Sequence, residues 1–246
     1  MFKTEIYSPE GLRLDGRRWN ELRRFECSIN THPTAADGSS YLEQGNNKLI
    51  TLVTGPHEPA LRSQVNPSKA TLTVTVNMTK FAAAERSKTG HKNERRILEM
   101  QTALVRTFEK NVMLQLYPRT AIDVQVHVLQ NDGGVLGSMI NGITLALIDA
   151  GIAMYEYISG ISVGLYDTTP LLDLNRLEEQ AMSCFTLGVV GKSEKLSLLL
   201  VEDKVPLDRL ESVMSLGIAG THRVRDMMDK VLRQHGKIRL ENSVAN

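Results

Sequence analysis

Ile122-Asp123-Val124-Gln125-Val126-His127-Val128, then Asp132-Gly133-Gly134-Val135-Leu136-Gly137-Ser138, then Met139-Ile140-Asn141-Gly142-Ile143-Thr144-Leu145-Ala146-Leu147-Ile148-Asp149-Ala150-Gly151 reads as a strand, a glycine turn and a helix in succession. The strand is given by apolar side chains on alternate positions, the helix by Ile140, Ile143 and Leu147 at helical spacing. Between them, glycines leading into a helix N-terminus leave N–H groups free beside the positive end of the helix dipole, a combination that suits phosphate. Val135 and Leu136 add neither charge nor a side-chain donor. The turn therefore reads either as an anion site that has lost its cation or as an ordinary structural turn before a helix.

Upstream, Phe25, Cys27 and Ile29 alternate with polar residues, a second strand spans 48–53, and 70–78 alternates apolar residues with threonines and an asparagine. Gly38 and Gly45-Asn46-Asn47 mark turns. A basic segment, 85–93, leads into a predicted helix over 94–116 with Asn93 as N-cap. Ile97, Leu98, Leu104, Val105, Phe108 and Val112 form its predicted core face, and Pro118 lies beyond its end. Downstream, strands are expected at 158–166, 183–190 and 195–201, and an amphipathic helix at 206–233. Two successive blocks of strands and helix, about 20–151 and 152–235, argue for an α+β domain with mixed sheets. One domain, 8–236, is expected, with flexible termini at 1–7 and 237–246.

At 246 residues with ordinary apolar and charged fractions, the chain can bury a core and is not disordered as a whole. Lys plus Arg (29) nearly balances Asp plus Glu (28), so any nucleic-acid contact must come from local patches. The two cysteines, Cys27 and Cys184, lie in alternating apolar stretches and are expected to be reduced core thiols. The histidines show no metal-ligand spacing, so no metal or cofactor is expected. With no secretory pattern and no apolar run near the roughly 20 residues of a membrane span, the chain is expected to be soluble and intracellular, without membrane contact.

Several phrases together carry a resemblance: Glu10-Gly11-Leu12-Arg13-Leu14-Asp15-Gly16-Arg17-Arg18, Ala36-Asp37-Gly38-Ser39, Glu43-Gln44-Gly45-Asn46-Asn47-Lys48, Tyr117-Pro118-Arg119-Thr120 and Leu145-Ala146-Leu147-Ile148-Asp149-Ala150-Gly151-Ile152. The chain resembles the RNase PH family over about 8–235. Within that family it is similar to the eukaryotic RNA exosome ring subunit that corresponds to the archaeal subunit carrying the phosphorolytic site. The resemblance implies a single RNase PH-type domain of the ribosomal protein S5 domain 2-like kind, built from two ββαβα-like halves. Six such chains form a hexameric ring around a channel for single-stranded RNA.

Active members of the family use phosphate to attack the 3′-terminal phosphodiester, and the resemblance places their phosphate-binding Thr/Ser-Arg pair at Val135 and Leu136. Two carboxylates six residues apart, counted from Asp173-Leu174-Asn175, fall on Glu179 and Phe185. An aromatic side chain cannot transfer a proton or bind Mg²⁺. On these departures the chain is expected not to be an enzyme, with no catalytic residues of its own. The RNA-contacting positions carry over onto Arg95 and Arg96, with Lys92 beside them, and onto Arg62 at the channel constriction. Arginines in a helix's first turn oppose its dipole, which suits a phosphate partner.

The expected function is thus a non-catalytic exosome ring subunit that threads the 3′ end of single-stranded RNA toward an associated nuclease. The expected partners are RNase PH-like ring neighbours, cap subunits with S1 or KH modules, and a hydrolytic exonuclease at the channel exit. Ring subunits of this kind act in ribosomal RNA processing and messenger RNA decay, in nucleus, nucleolus and cytoplasm. The alternative is a phosphate-dependent 3′→5′ exoribonuclease with residual activity. A small-molecule phosphotransferase would need a Walker-type loop or another cationic phosphate site, and neither is visible in the sequence.

Overall fold

A computed structural model describes residues 6–8, 10–59, 65–83, 86 and 91–245, leaving aside the side chains of 91–94 and 242–245. The first half contributes β1 (Phe25–Ile29), β2 (Gly38–Gln44), β3 (Asn47–His57), β4 (Thr71–Met78), α1 (His91–Asn111), β5 (Ala121–Gln130) and α2 (Val135–Asp149). The second contributes β6 (Ile158–Tyr166), β7 (Thr169–Leu172), α3 (Arg176–Ala181), β8 (Ser183–Val190), β9 (Leu196–Val201) and α4 (Leu207–Ala245). A five-stranded sheet runs β1-β2-β3-β5-β4 and a four-stranded sheet runs β7-β6-β8-β9. Among the described strands only β4 and β5 pair in parallel, as the crossover through α1 requires, and the other pairs are antiparallel. The architecture is the mixed α+β type expected from the sequence.

α2 lies between the two sheets, against β2 and β3 on one side and β6 on the other, and all but one of its residues are buried. A helix apolar all round belongs in such a place. It also completes the hydrogen bonding of β6. Because β7 pairs only with residues 163–166 of β6, the backbone at Gly160 is satisfied from α2, where Asn141 donates to its carbonyl (2.9 Å) and accepts from its N–H (2.7 Å). Thr144 likewise donates to the Ile158 carbonyl at 2.8 Å.

α4 covers the opposite face of the second sheet. A Cβ on Gly217 would meet Val163 and Leu187, and one on Gly220 would meet Leu172 and Ile161. Side chains of β6 at 161 and 163 thus face α4, and position 162 faces α2.

Several boundaries differ from the sequence reading. α1 begins at His91, and its continuous helix ends at Asn111, before a 3-10 turn at Leu114–Leu116. Leu98 is 60% exposed, and the core positions of α1 are Met100, Leu104 and Phe108. α2 starts at Val135 and α4 continues through 237–245, the stretch read as a polar tail. β2, β7 and α3 were not foreseen, and Gly38 opens a strand where a turn was expected.

Candidate functional site

The glycine turn is where the two halves meet. Gly133 and Gly134 both have positive φ, +84° and +63°. A Cβ at Gly133 would stand 2.5 Å from the Asn175 carbonyl carbon, and one at Gly134 would stand 2.3 Å from Ser162 Oγ. Glycine is required here by backbone conformation and by the closeness of the second half.

A buried polar network holds the turn in place. Asp173, fully buried, accepts from the Arg23 amide (2.8 Å), from Arg23 Nε and Nη2 (3.0 and 2.8 Å) and from Gln44 Nε2 (3.0 Å). Arg23 in turn donates to the carbonyls of Asp132 (2.9 Å) and Gly133 (3.2 Å). Asn47 donates to the Gly133 carbonyl at 2.6 Å and accepts from the Asp132 amide, while Ser138 donates to Gln44 at 2.9 Å. With its carbonyls bound on the inner side, the turn is fixed in orientation.

Beside the turn, α3 starts with a capping box. Asn175 accepts from the Glu178 amide, and Glu178 accepts from the Asn175 amide, both at 2.9 Å. Glu178 is buried against Arg13 at 3.4 Å. Burial is the leading influence on both groups, raising the Glu178 pKa and lowering that of Arg13, against the mutual attraction of the two charges.

The next residue, Glu179, turns its carboxylate to the glycine turn. It accepts from the Gly134 N–H at 3.2 Å and, with its other oxygen, from Arg96 Nη2 at 3.0 Å. The Glu179 side chain is 22% exposed and that of Arg96 61%. The glycine turn, Glu179 and Arg96 thus form one partly open lip built from α1, α3 and the N-terminus of α2.

The residues singled out in the sequence are not all brought together here. Arg95 is exposed and pairs with Glu99 one helical turn along. Since α1 starts at His91, Arg95 and Arg96 stand in its second turn, past the N–H groups that would oppose their charge. Val135 and Leu136 open α2 with buried side chains that belong to the core. Phe185 is buried opposite Val163 in the β6–β8 ladder, which puts its side chain on the face covered by α4. The turn contacts Ser162, on the other face. Lys92 lies in the helical backbone of α1 with its side chain outside the described residues, and Arg62 lies outside them altogether.

Arg23, Gln44, Asn47 and Ser138 had no functional reading in the sequence. Gln44 and Asn47 were visible only in a phrase that carries the family resemblance, Asn47 also in a turn. Among the described residues no cluster of His, Cys, Asp or Glu could hold a metal ion, and no helix is long and apolar enough to cross a membrane.

Residues 21–153 match the first-domain model of RNase PH, the 3′ exoribonuclease family, and residues 156–220 match the second-domain model. This chain belongs to the 3′ exoribonuclease family. It is 74% identical over 245 residues to Exosome complex component SKI6 of Saccharomyces cerevisiae, covering all of both chains. It is 36% identical over 240 residues to Exosome complex component Rrp41 of Archaeoglobus fulgidus, covering 95% of this chain and 91% of that one. Among solved structures, rice Rrp46 superposes with a TM-score of 0.79 at 30% identity, covering 90% of this chain and all of the other.

Membership corrects the expectation that the chain is not an enzyme. The models matching both halves are those of an exoribonuclease family, and the similarity to archaeal Rrp41 is nearly end to end. Phe185 is on the far face of its sheet, so its aromatic ring does not face the turn. The donor that meets Glu179 is a backbone N–H, which the aliphatic side chains of Val135 and Leu136 leave in place.

Proposed function

We propose that the chain is a core ring subunit of an RNA exosome, and that the lip formed by Arg96, Glu179 and the Gly133-Gly134 turn, with Arg95 next to Arg96 on the exposed surface of α1, takes the phosphates of a single-stranded RNA 3′ end. The observation that carries this reading is the 74% identity, over the whole of both chains, to a protein named as an exosome component. The exposed arginines add the chemistry: fixed charge on a helix surface contacts phosphate without reading bases, as a conduit for many sequences needs. The family resemblance adds Arg62 and Lys92 to the residues proposed to contact RNA. Ring neighbours of the RNase PH type flank the chain, cap subunits with S1 or KH modules deliver RNA, and a hydrolytic exonuclease receives it at the channel exit. The complex works in ribosomal RNA processing and messenger RNA decay, in nucleus, nucleolus and cytoplasm.

The assembled ring and cap carrying Arg95→Glu with Arg96→Glu tests this reading. Binding to single-stranded RNA should fall, with a log–log salt slope shallower by about 0.7 for each phosphate that is no longer neutralised. Unchanged binding and slope in an intact ring would overturn the assignment. A second reading, phosphate-dependent 3′→5′ exonuclease activity, is favoured by the Glu179 carboxylate at the Gly134 N–H. Nucleoside diphosphates released from labelled RNA only when phosphate is present, and lost in Glu179→Gln, would establish it. Absence of such products would exclude it.

A further inference from the structure

The guanidinium assigned to RNA is already holding an anion. Arg96 Nη2 bonds one oxygen of Glu179 at 3.0 Å, and the other oxygen takes the Gly134 N–H at 3.2 Å. A carboxylate bridging an arginine and a free backbone amide has the charge and acceptor geometry of two phosphate oxygens.

The backbone that carries Glu179 is placed with little freedom. α3 is fixed by the Asn175–Glu178 capping box and by Arg13 on Glu178, so the neighbouring carboxylate is presented toward the turn by a braced backbone. Arg96, in contrast, is mostly solvated on the surface of α1 and free to change partner. The two sides of this ion pair are therefore unequal.

We propose that Glu179 is an internal competitor for RNA: it occupies Arg96 and the Gly134 N–H in the empty lip, and an RNA phosphate must displace it from Arg96 to bind. The inference rests on the RNA-contact reading of Arg96 and adds a residue that sets how tightly, and against what salt, RNA is held. An exposed pair of this kind stabilises by at most about 1 kcal/mol, so its release changes affinity severalfold. A competitor of that strength weakens the binding of isolated phosphates and weak anions severalfold, while a strand bound at several points at once overcomes it.

Glu179→Gln in the assembled ring and cap separates these effects. Glutamine keeps the size of the side chain and an oxygen that accepts from Gly134, and puts a neutral NH₂ in place of the charged oxygen to which Arg96 donates. RNA affinity is expected to rise about threefold at low salt in Glu179→Gln, and the same change in an Arg96→Ala background is expected to do nothing. Unchanged or weaker binding in Glu179→Gln, with Arg96→Ala still weakening the wild type, would overturn the competition and leave Arg96 as an RNA contact. A rise in affinity that persists without Arg96 would also overturn it. Unchanged binding in Arg96→Ala alone would remove the RNA reading of that residue and this inference with it.

Discussion

Replacing Asp173 by asparagine should loosen the glycine turn and destabilise the chain as a whole. Asp173 is fully buried and takes four hydrogen bonds, three from Arg23 and one from Gln44. Asparagine fits the cavity and tolerates the left-handed backbone at this position, where φ is +55°. It turns an NH₂ group toward donors, however, and leaves the buried Arg23 charge without a counter-ion. Breaking one side of a buried ion pair costs about 3–5 kcal/mol. At roughly 2–4 °C per kcal/mol for a chain of this size, the unfolding midpoint should drop by about 10 °C. Thermal unfolding followed by circular dichroism measures the drop, and hydrogen exchange at 133–138 reports the turn, because Arg23 also holds the carbonyls of Asp132 and Gly133. Arg23→Met added to Asp173→Asn should recover part of the loss by removing the stranded charge. A midpoint within about 2 °C of wild type, with unchanged protection of the turn, would show that this pair does not brace the site.

Leu104→Ala should cost about 2–5 kcal/mol, since Leu104 is fully buried, whereas Leu98→Ala on the same helix should stay within about 0.5 kcal/mol; urea denaturation of the two variants compares them directly. Gly134→Ala should destabilise by about 1–2 kcal/mol or more through its left-handed backbone, and Ser162→Ala should relieve the 2.3 Å clash but not the backbone cost, so the double variant should recover only in part. Burial pushes the Cys27 thiol up to about 11 and the Cys184 thiol up to about 12. At pH 8, about one Cys27 in a thousand should therefore be thiolate, and iodoacetamide should label both cysteines far more slowly in the native protein than in urea. Because both folded values lie above the unfolded one, this contribution to stability is complete below about pH 9 and is lost as pH rises through 11 and 12.

Local pattern was legible wherever one physical demand acted alone. β5 alternates because one of its faces is buried, and α2 was recognisable because it is apolar and flanked by glycine. Its first turn was missed because Gly133, Gly134 and Gly137 together resemble a loop. β2 was missed for another reason. Gly38, Ser39 and Ser40 resemble a turn, yet they are small because α2 presses on them, and a Cβ at Gly38 would stand 2.3 Å from the Ala146 carbonyl oxygen. Leu98 resembles a core residue in sequence because it sits beside Ile97, on a helix whose packed face proves narrow. The site was legible in part. The turn, Glu179 and Arg96 were named from sequence and meet in space, but Arg23 and Asp173 are separated by 150 residues, and no periodicity reports such a partner.

The same distance separates family signature from chemistry. The phrase Leu12-Arg13-Leu14-Asp15-Gly16-Arg17 helped to reveal the family, yet its arginines are bonded away from the turn. Arg13 donates to the carbonyls of Trp19 (2.8 Å) and Leu172 (2.7 Å), and pairs with the buried Glu178. Arg17 bonds the Asp173 carbonyl at 3.0 Å and is itself held by Asp15 at 2.8 Å. These bonds fix the 172–178 segment, which carries Asp173 under the glycine turn and ends one residue before Glu179. A buried arginine bound to carbonyls and a carboxylate tolerates neither lysine nor a neutral residue without stranding those acceptors. The N-terminal phrase therefore acts on the lip at second hand, by fixing the backbone from which Glu179 reaches Gly134 and Arg96.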